Sequence, residues 1–143
     1  MLRTKFEPKN AYQVVVYLRM SQKGQTPRSP DQQLQVIAEL IRRLRLPWRI
    51  VKIYRDNAVS GRFTRKRRDF QRMCRELRSG EVQADLIIVD TFERLTRADD
   101  GDAIRRRFQK MGLLVLTADS GFADPTSPAG KALAMVESIR ASE

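Results

Sequence analysis

The sequence predicts an α/β domain with a mostly parallel sheet of four to five strands and helices on both faces. Four short apolar segments alternate with three amphipathic segments along the 143 residues. The apolar segments are typical of strands that are buried on both faces, as in parallel sheets. A chain of this length is about one domain, and its hydrophobic fraction of 41% is enough for a core.

The first strand is predicted at 12–18, a β-branched and aromatic run that stops at Arg19. Glycine and proline at positions 24, 27 and 30 mark a loop. A helix follows, with Ser29 or Asp31 as its N-cap and Pro47 as its stop. Its apolar residues recur at helical spacing and are Leu34, Ile37, Ile41 and Leu44.

The second strand is predicted at 49–54, and 55–64 is a polar loop. The next helix carries Phe70, Met73 and Leu77 and ends at Gly80. The third strand is 86–89 and the fourth is 113–116, with a helix between them that ends at Gly112. That helix is lined by Ile104, Phe108 and Met111. A last helix is predicted at 128–142, with Leu133, Val136 and Ile139 facing inward.

The ligand of such a sheet lies beyond the carboxyl ends of its strands. This rule selects four segments, at 19–21, 56–61, 90–97 and 118–122. In an extended chain Arg19 and Ser21 point to the same side, so the cation could hold a phosphate that the hydroxyl attacks. The alternative is an ordinary turn serine and a solvated arginine. Likewise Arg94 and Arg97 share one face if their segment is helical, although a salt-bridged helix start is also possible.

The composition indicates a phosphate-bearing partner. Lys and Arg number 28 against 17 Asp and Glu, the net charge is +11, and arginines outnumber lysines 21 to 7. The planar guanidinium group binds phosphate oxygens two at a time. Without histidine and with one cysteine, the chain excludes a Ser-His-Asp triad, a His-rich metal site, a CxxC redox pair and an internal disulfide.

The same composition predicts a cytoplasmic protein outside the membrane. A lone cysteine fits a reducing compartment, and no apolar run approaches the roughly 18 residues that cross a bilayer. The first ten residues contain no apolar signal-peptide core.

A basic run at 62–78 holds eight cationic residues against Asp69 and Glu76. Arginines 72, 75 and 78 lie off the apolar stripe of the helix and are expected to be solvated. Four residues before or at the start of that helix are better placed to contact a phosphate-bearing polyanion. These four are Arg62, Arg65, Lys66 and Arg68.

Five collinear motifs resemble the serine recombinases, the family of resolvases, invertases and serine integrases. They are Y-L-R-M-S at 17–21, S-P-D-Q-Q at 29–33, D-N-A-V-S-G at 56–61, R-R-D-F at 67–70 and E-R-L-T-R at 93–97. The segment D-P-T-S-P-A-G-K at 124–131 is similar to the one before that family's long oligomerisation helix. The resemblance covers about 12–142 and implies a three-layer α/β/α resolvase-like fold.

The resemblance also implies roles for matching residues. Ser21 matches the nucleophile that attacks a DNA phosphodiester and becomes joined to the 5′ phosphate. The matching active-site arginines, which would hold the phosphate, are Arg19, Arg67, Arg94 and Arg97. Gln33, Asp56 and Ser60 match supporting positions, and the Asp56 carboxylate is expected to orient an arginine. No metal and no cofactor are implied. The acidic residues Asp56, Asp90 and Glu93 are expected to pair with arginines rather than with magnesium.

The sequence departs from the family pattern in two places. Glu93 stands where the family usually has Asp, as a candidate proton donor or arginine-orienting group. The family also continues through a long oligomerisation segment into a DNA-binding domain, so 1–143 is expected to be the catalytic domain alone. The implied partners are double-stranded DNA and further copies of the chain, in a homodimer and a synaptic homotetramer.

Two other functions remain possible at this point. One is a non-catalytic basic α/β module that binds nucleic acid or a protein partner, derived from a recombinase. The other, a receiver-like signalling domain, is disfavoured because the first strand ends in Arg19 rather than in an acidic cluster. The sequence leaves open whether the parent protein is an integrase, a resolvase or a transposase.

Overall fold

A computed structural model describes residues 5–20, 28–56, 67–96 and 103–142, which form a parallel sheet with helices on both faces. The strands are β1 (Gln13–Arg19), β2 (Arg49–Asp56), β3 (Leu86–Val89) and β4 (Leu114–Thr117). Their order across the sheet is β2-β1-β3-β4, and all neighbouring pairs are parallel. The predicted fold class is confirmed. Because the strand order reverses between β1 and β3, their carboxyl ends flank the crevice where such sheets bind ligands.

The helices lie where the apolar spacing predicts them. They are α1 (Pro30–Arg43), α2 (Arg68–Ser79), α3 (Ala103–Gln109) and α4 (Pro128–Ser142). Of the two candidate N-caps of α1, Ser29 is the one used, because it exchanges hydrogen bonds with Gln32 in a capping box. None of the helices in the described ranges is long and apolar enough to cross a membrane.

Two cores lie on opposite faces of the sheet because successive strand side chains alternate between them. One core packs β1 residues Val14, Val16 and Leu18 against α1. The other packs Val15 and Tyr17 of the same strand against α2 and α3. All residues of β1 after Gln13 are buried, as the unbroken apolar run predicts.

Strand β2 is longer than predicted and ends at Asp56 rather than at 54. The polar residues Arg55 and Asp56 remain in the strand because they pair in register with Leu18 and Arg19 of β1. In the same way Arg19 is the last residue of β1 rather than the first residue of the loop. Both strands therefore place polar residues at the carboxyl edge of the sheet.

The predicted inward face of α4 is wrong. Val136 and Ile139 are exposed, and Leu133 is only half-buried. The helix instead turns Gly130 and Ala134 inward, with Glu137 bonded to the sheet. A side chain at Gly130 would meet the Asp124 carbonyl oxygen at 1.6 Å, so close packing requires glycine there. Leu44 is likewise exposed, as the C-cap of α1, rather than part of its buried stripe.

Candidate active site

Three arginines from different parts of the chain meet around the turn formed by residues 92–96, which follows β3 and begins with the 3₁₀ helix Phe92–Arg94. Arg19 reaches this turn from the end of β1. Its Nη2 donates hydrogen bonds to the carbonyl oxygens of Glu93 at 2.6 Å and Thr96 at 3.4 Å. Only 6% of Arg19 is exposed. The guanidinium group is therefore held at the carboxyl edge in a largely dry environment.

Arg67 reaches the same turn from the start of α2. Its Nη1 donates to the Leu95 carbonyl oxygen at 2.5 Å, and its guanidinium group lies 4.1 Å from the centre of the Phe70 ring. The residue is the N-cap of α2 and has φ of +40°, in the left-handed region. Such a conformation costs a non-glycine residue about 1–3 kcal/mol and is common at functional sites. The strain is offset by the contacts that hold the side chain over the turn.

Arg94 belongs to the turn itself and is paired with Asp90. Its Nε lies 2.9 Å from Asp90 Oδ1 and its Nη2 lies 3.4 Å from Asp90 Oδ2, with both side chains buried. Arg28, which precedes α1, adds a second cation 3.7 Å from the same carboxylate. Within the described part of the chain, Arg94 Nη1 is buried without a hydrogen-bond partner.

The three arginines are close enough for their charges to act on one another. Burial, and then the positive charges of Arg67 and Arg94, lower the pKa of Arg19. The neighbouring Tyr17 and Glu93 act in the opposite direction. Gathering buried cations in this way is costly unless an anion offsets their charge. The arrangement therefore favours a bound anion such as a phosphate group.

Gln33 joins the two sides of the loop that begins after β1. Its Oε1 accepts from the Arg19 amide at 3.1 Å, and its Nε2 donates to the Arg19 and Arg28 carbonyl oxygens, each at 2.9 Å. The side chain is fully buried although it lies on a helix. One side-chain amide thus ties the last residue of β1 to Arg28, two residues before α1.

Asp56 has different partners from those expected. Its carboxylate accepts from the Tyr17 hydroxyl at 2.6 Å and from the backbone amides of Asp69 and Phe70 at 2.9 and 3.0 Å. None of its bonds in the described ranges is to an arginine side chain. The carboxylate instead caps α2 from a neighbouring strand, and so fixes the backbone next to Arg67. Burial, and then Asp56, raise the pKa of Tyr17.

Glu93, the candidate proton donor or arginine-orienting group, contacts an arginine through its backbone. Its backbone oxygen accepts from Arg19, whereas its carboxylate accepts no hydrogen bond from the described residues. Its charge does raise the pKa of Arg19. Of the three acidic residues expected to pair with arginines, only Asp90 forms an ion pair in the described ranges.

The sequence matches the family described as Resolvase, N terminal domain, over residues 14–143. The chain belongs to this family. Its fold is similar to a resolvase family site-specific recombinase from Streptococcus pneumoniae, with a TM-score of 0.67 and 22% identity over 90% of this chain and 87% of that chain. No curated protein matches the sequence. Family membership implies recombinase chemistry in general, in agreement with the motif resemblance.

Several candidate residues of this resolvase domain lie outside the described ranges. They are the nucleophile candidate Ser21, the fourth arginine Arg97, the supporting Ser60 and the phosphate-binding candidates Arg62, Arg65 and Lys66. Arg68, the last phosphate-binding candidate, is described and is exposed at the first turn of α2. It lies next to buried Arg67. The start of α2 therefore has one cation that faces solvent, Arg68, and one that faces the crevice, Arg67.

Some contacts of the resolvase domain have no signal in the sequence. Tyr17 and Asp56 are 39 residues apart, and only the pairing of β1 with β2 brings them together. Asp90 and Arg94 do have a signal, because an acid four residues before an arginine is the spacing of a local ion pair. That spacing predicts the pair but not its complete burial.

Proposed function

We propose that this resolvase domain performs site-specific DNA recombination, by serine-mediated cleavage and rejoining of strands. The observation that carries the proposal is the convergence of Arg19, Arg67 and Arg94 at the carboxyl ends of β1 and β3. All three match arginines of the five collinear motifs. A crevice that gathers buried guanidinium groups suits a reaction at a phosphodiester, and Ser21 follows the last residue of β1 by two positions in the sequence.

The proposed reaction is a transesterification. The Ser21 oxygen attacks the phosphorus and loses its proton, the bond to the 3′ oxygen breaks, and that oxygen leaves as a 3′ hydroxyl. The 5′ phosphate remains joined to Ser21. Attack by the 3′ hydroxyl of a new partner strand reverses these steps, so the ester conserves the bond energy and the reaction consumes no nucleotide.

The arginines would stabilise the pentacovalent transition state. Charge develops on the non-bridging oxygens as the serine attacks, and prepositioned donors in a dry site oppose it most effectively. Each such donor typically contributes about 10²- to 10³-fold to the rate. Arg97 would complete the set of four.

The remaining candidates would position or attract DNA. Gln33 would hold the ends of the loop that carries Ser21, and Asp56 would hold the start of α2 beside Arg67. We assign Ser60 no separate step. The cations Arg62, Arg65, Lys66 and Arg68 would contact flanking phosphates, which supplies affinity without sequence preference.

The proposal extends to assembly and location. Exchange of two duplexes needs four cuts, so we infer a dimer of the parent protein on each double-stranded DNA site and a tetramer at the synapse. A protein with this substrate would act in the cytoplasm at the nucleoid. The integrase, resolvase and transposase alternatives share this chemistry.

The deciding experiment is detection of the covalent intermediate. The parent recombinase is incubated with DNA carrying its site, denatured, digested and examined by mass spectrometry for a nucleotide on Ser21. We expect the adduct in the wild type and none in Ser21→Ala, because the proposal assigns the attack to the Ser21 oxygen alone. Ser138→Ala, which removes a hydroxyl from α4, is the matched control and should form the adduct normally.

A non-catalytic nucleic-acid-binding module would give a different result. Wild-type protein would then bind DNA with a steep salt dependence but would leave no adduct under any condition. Cleavage that persists in Ser21→Ala would instead disprove the nucleophile assignment.

A further inference from the structure

We propose that Asp90 is the residue that positions Arg94 for the phosphate in this chain, a role for which the family pattern offers Glu93. This inference rests on the proposed function for the identity of the phosphate. The supporting observation is that the buried Asp90 carboxylate bonds the buried Arg94 guanidinium group through both of its oxygens. This contact does not depend on the proposed function.

The geometry fixes the direction of the guanidinium group. Asp90 engages Nε and Nη2 of Arg94 with its two oxygens, at 2.9 and 3.4 Å. A planar guanidinium group held along one edge has its remaining nitrogen directed away from the carboxylate. That nitrogen, Nη1, is the buried donor that finds no partner within the described residues. It is therefore a prepositioned donor for an anion.

The carboxylate is itself held firmly. It follows β3 directly, and Oδ1 also accepts from the Thr91 amide at 2.8 Å. The Asp90 carbonyl oxygen accepts from the Asp119 amide at 3.0 Å, which links it to the end of β4. The Asp90 side chain is completely buried, and its carboxylate cannot turn away from Arg94 without also losing the bond from the Thr91 amide.

Asp90 also connects Arg94 with the loop after β1. Arg28 lies 3.7 Å from Asp90 Oδ2, and its carbonyl oxygen accepts from Gln33. The same carboxylate therefore contacts a cation at the end of the loop that carries Ser21 and a cation of the turn that would bind the phosphate. Displacement of Asp90 would disturb both.

Glu93 is in a different position. Its backbone oxygen holds Arg19, and its carboxylate forms no hydrogen bond with the described residues. The turn is a 3₁₀ helix, so adjacent side chains at 93 and 94 point in different directions. Glu93 is one methylene longer than the Asp that is usual in the family. This difference in length does not affect the orientation of Arg94, because Arg94 is bonded to Asp90 instead.

A first test needs no DNA. The Nε–H proton of Arg94 is observed by NMR in the 143-residue chain and assigned by its loss in Arg94→Lys. We expect it to exchange with water far more slowly than the Nε–H of exposed Arg75, and to lose this protection in Asp90→Asn. Titration with inorganic phosphate should shift the Arg94 Cζ signal, which does not exchange with water. The shift should need a roughly tenfold higher phosphate concentration in Asp90→Asn than in wild type, because the guanidinium group is no longer held in one orientation. Exchange as fast as that of Arg75 in the wild type would overturn the inference.

A second test uses single-turnover adduct formation by the parent recombinase. Asp90→Asn should slow it about 10- to 100-fold, in the range expected when one transition-state donor is misaligned. DNA affinity should change less than about threefold, since other phosphate contacts remain. Asp90→Glu should recover part of the rate. The double variant that combines Asp90→Asn with Arg94→Lys should form the adduct no more slowly than the slower of the two single variants, because the two residues act as a unit.

The matched control is Glu76→Gln. Glu76 is another buried carboxylate, bonded to Tyr54 and Lys52 at the far edge of the sheet, and its loss should lower stability without changing the adduct rate. An adduct rate in folded Asp90→Asn within about threefold of wild type, or additive effects in the double variant, would disprove the positioning role. If the wild type forms no adduct, the proposed function fails, and the NMR and phosphate measurements alone decide whether Asp90 orients Arg94.

Discussion

At the scale of single residues, the candidate site depends on buried polar side chains whose hydrogen bonds hold its backbone segments in place. Gln33 is the clearest case, since its amide makes three bonds to backbone groups of Arg19 and Arg28. A buried backbone group that loses its partner costs about 1–3 kcal/mol. These few buried polar residues therefore make a large contribution to the stability of the crevice.

We predict that Gln33→Leu lowers the free energy of unfolding by about 2–4 kcal/mol, because the apolar side chain leaves these backbone groups unpaired. Urea denaturation measures the loss. Gln32→Leu, at an exposed position of the same helix, is the comparison and should cost only about 1 kcal/mol through the capping box. Equal losses in the two variants would contradict the role assigned to Gln33.

Glu76 predicts a pH dependence of stability. Hydrogen bonds from Tyr54 and then Lys52 lower its pKa from an ordinary 4.5 to about 2. Because the folded pKa is depressed, the stabilisation is present above about pH 4.5 and is lost as the pH falls towards 2. Glu76→Gln should therefore have a shallower decline in unfolding free energy between these pH values than wild type. An unchanged decline would show that other carboxylates dominate.

At the scale of elements, helix α2 and the N-terminal segment 5–12 are held by contacts from elsewhere in the fold. The first turn of α2 is capped by Asp56 from β2, which compensates the strained Arg67. The segment 5–12 precedes the family match and packs Phe6 against Tyr12 and Trp48, each with ring centroids 5.9 Å apart. The Trp48 ring nitrogen donates to the Pro8 carbonyl oxygen at 2.9 Å, closing the contact.

Phe6→Ala is predicted to destabilise the domain by about 3 kcal/mol, although it lies outside the family match, because it removes a buried aromatic ring from this cluster. Thermal and urea denaturation both report the change. Leu44→Ala, at an exposed apolar position, should cost less than about 0.5 kcal/mol. If the segment 5–12 were only loosely attached, the two substitutions would have similar small effects.

At the scale of the whole molecule, α4 presents an apolar face to solvent. Met135, Val136 and Ile139 are exposed, whereas the opposite face is fixed by Glu137, which accepts from Arg105 at 2.7 Å and from Thr117 at 3.0 Å. Arg105 also lies 4.1 Å from the centre of the Phe92 ring. The helix is thereby connected to the turn that carries Arg94, while Met135, Val136 and Ile139 are exposed on its apolar side.

We expect the 143-residue chain to be monomeric or weakly dimeric at micromolar concentration, with contact through this face of α4. Ile139→Glu combined with Val136→Glu should abolish the weak association seen by light scattering and leave the thermal midpoint unchanged, because both side chains are exposed. Leu44→Glu, an exposed apolar position on α1, should leave association intact. A stable tetramer of the wild-type chain would show that residues 1–143 already hold the complete synaptic interface.

The amino-acid sequence by itself determined the alternation of strands and helices, the parallel sheet and the family, and it proposed the arginines of the candidate site. These follow from short-range apolar periodicity and from collinear motifs, both of which are local properties of the chain. The tertiary structure alone decided which residues meet at the carboxyl edge. Asp56 caps a helix instead of orienting an arginine, because strand pairing carries it to the start of α2. Helix α4 turns small residues and Glu137 inward, because close backbone approach at Gly130 and a part-buried ion pair between Glu137 and Arg105 fix that face. Val136 and Ile139 are left exposed. The apolar periodicity of a helix shows which of its residues are hydrophobic. It does not show which residues, tens of positions away in the chain, will contact them.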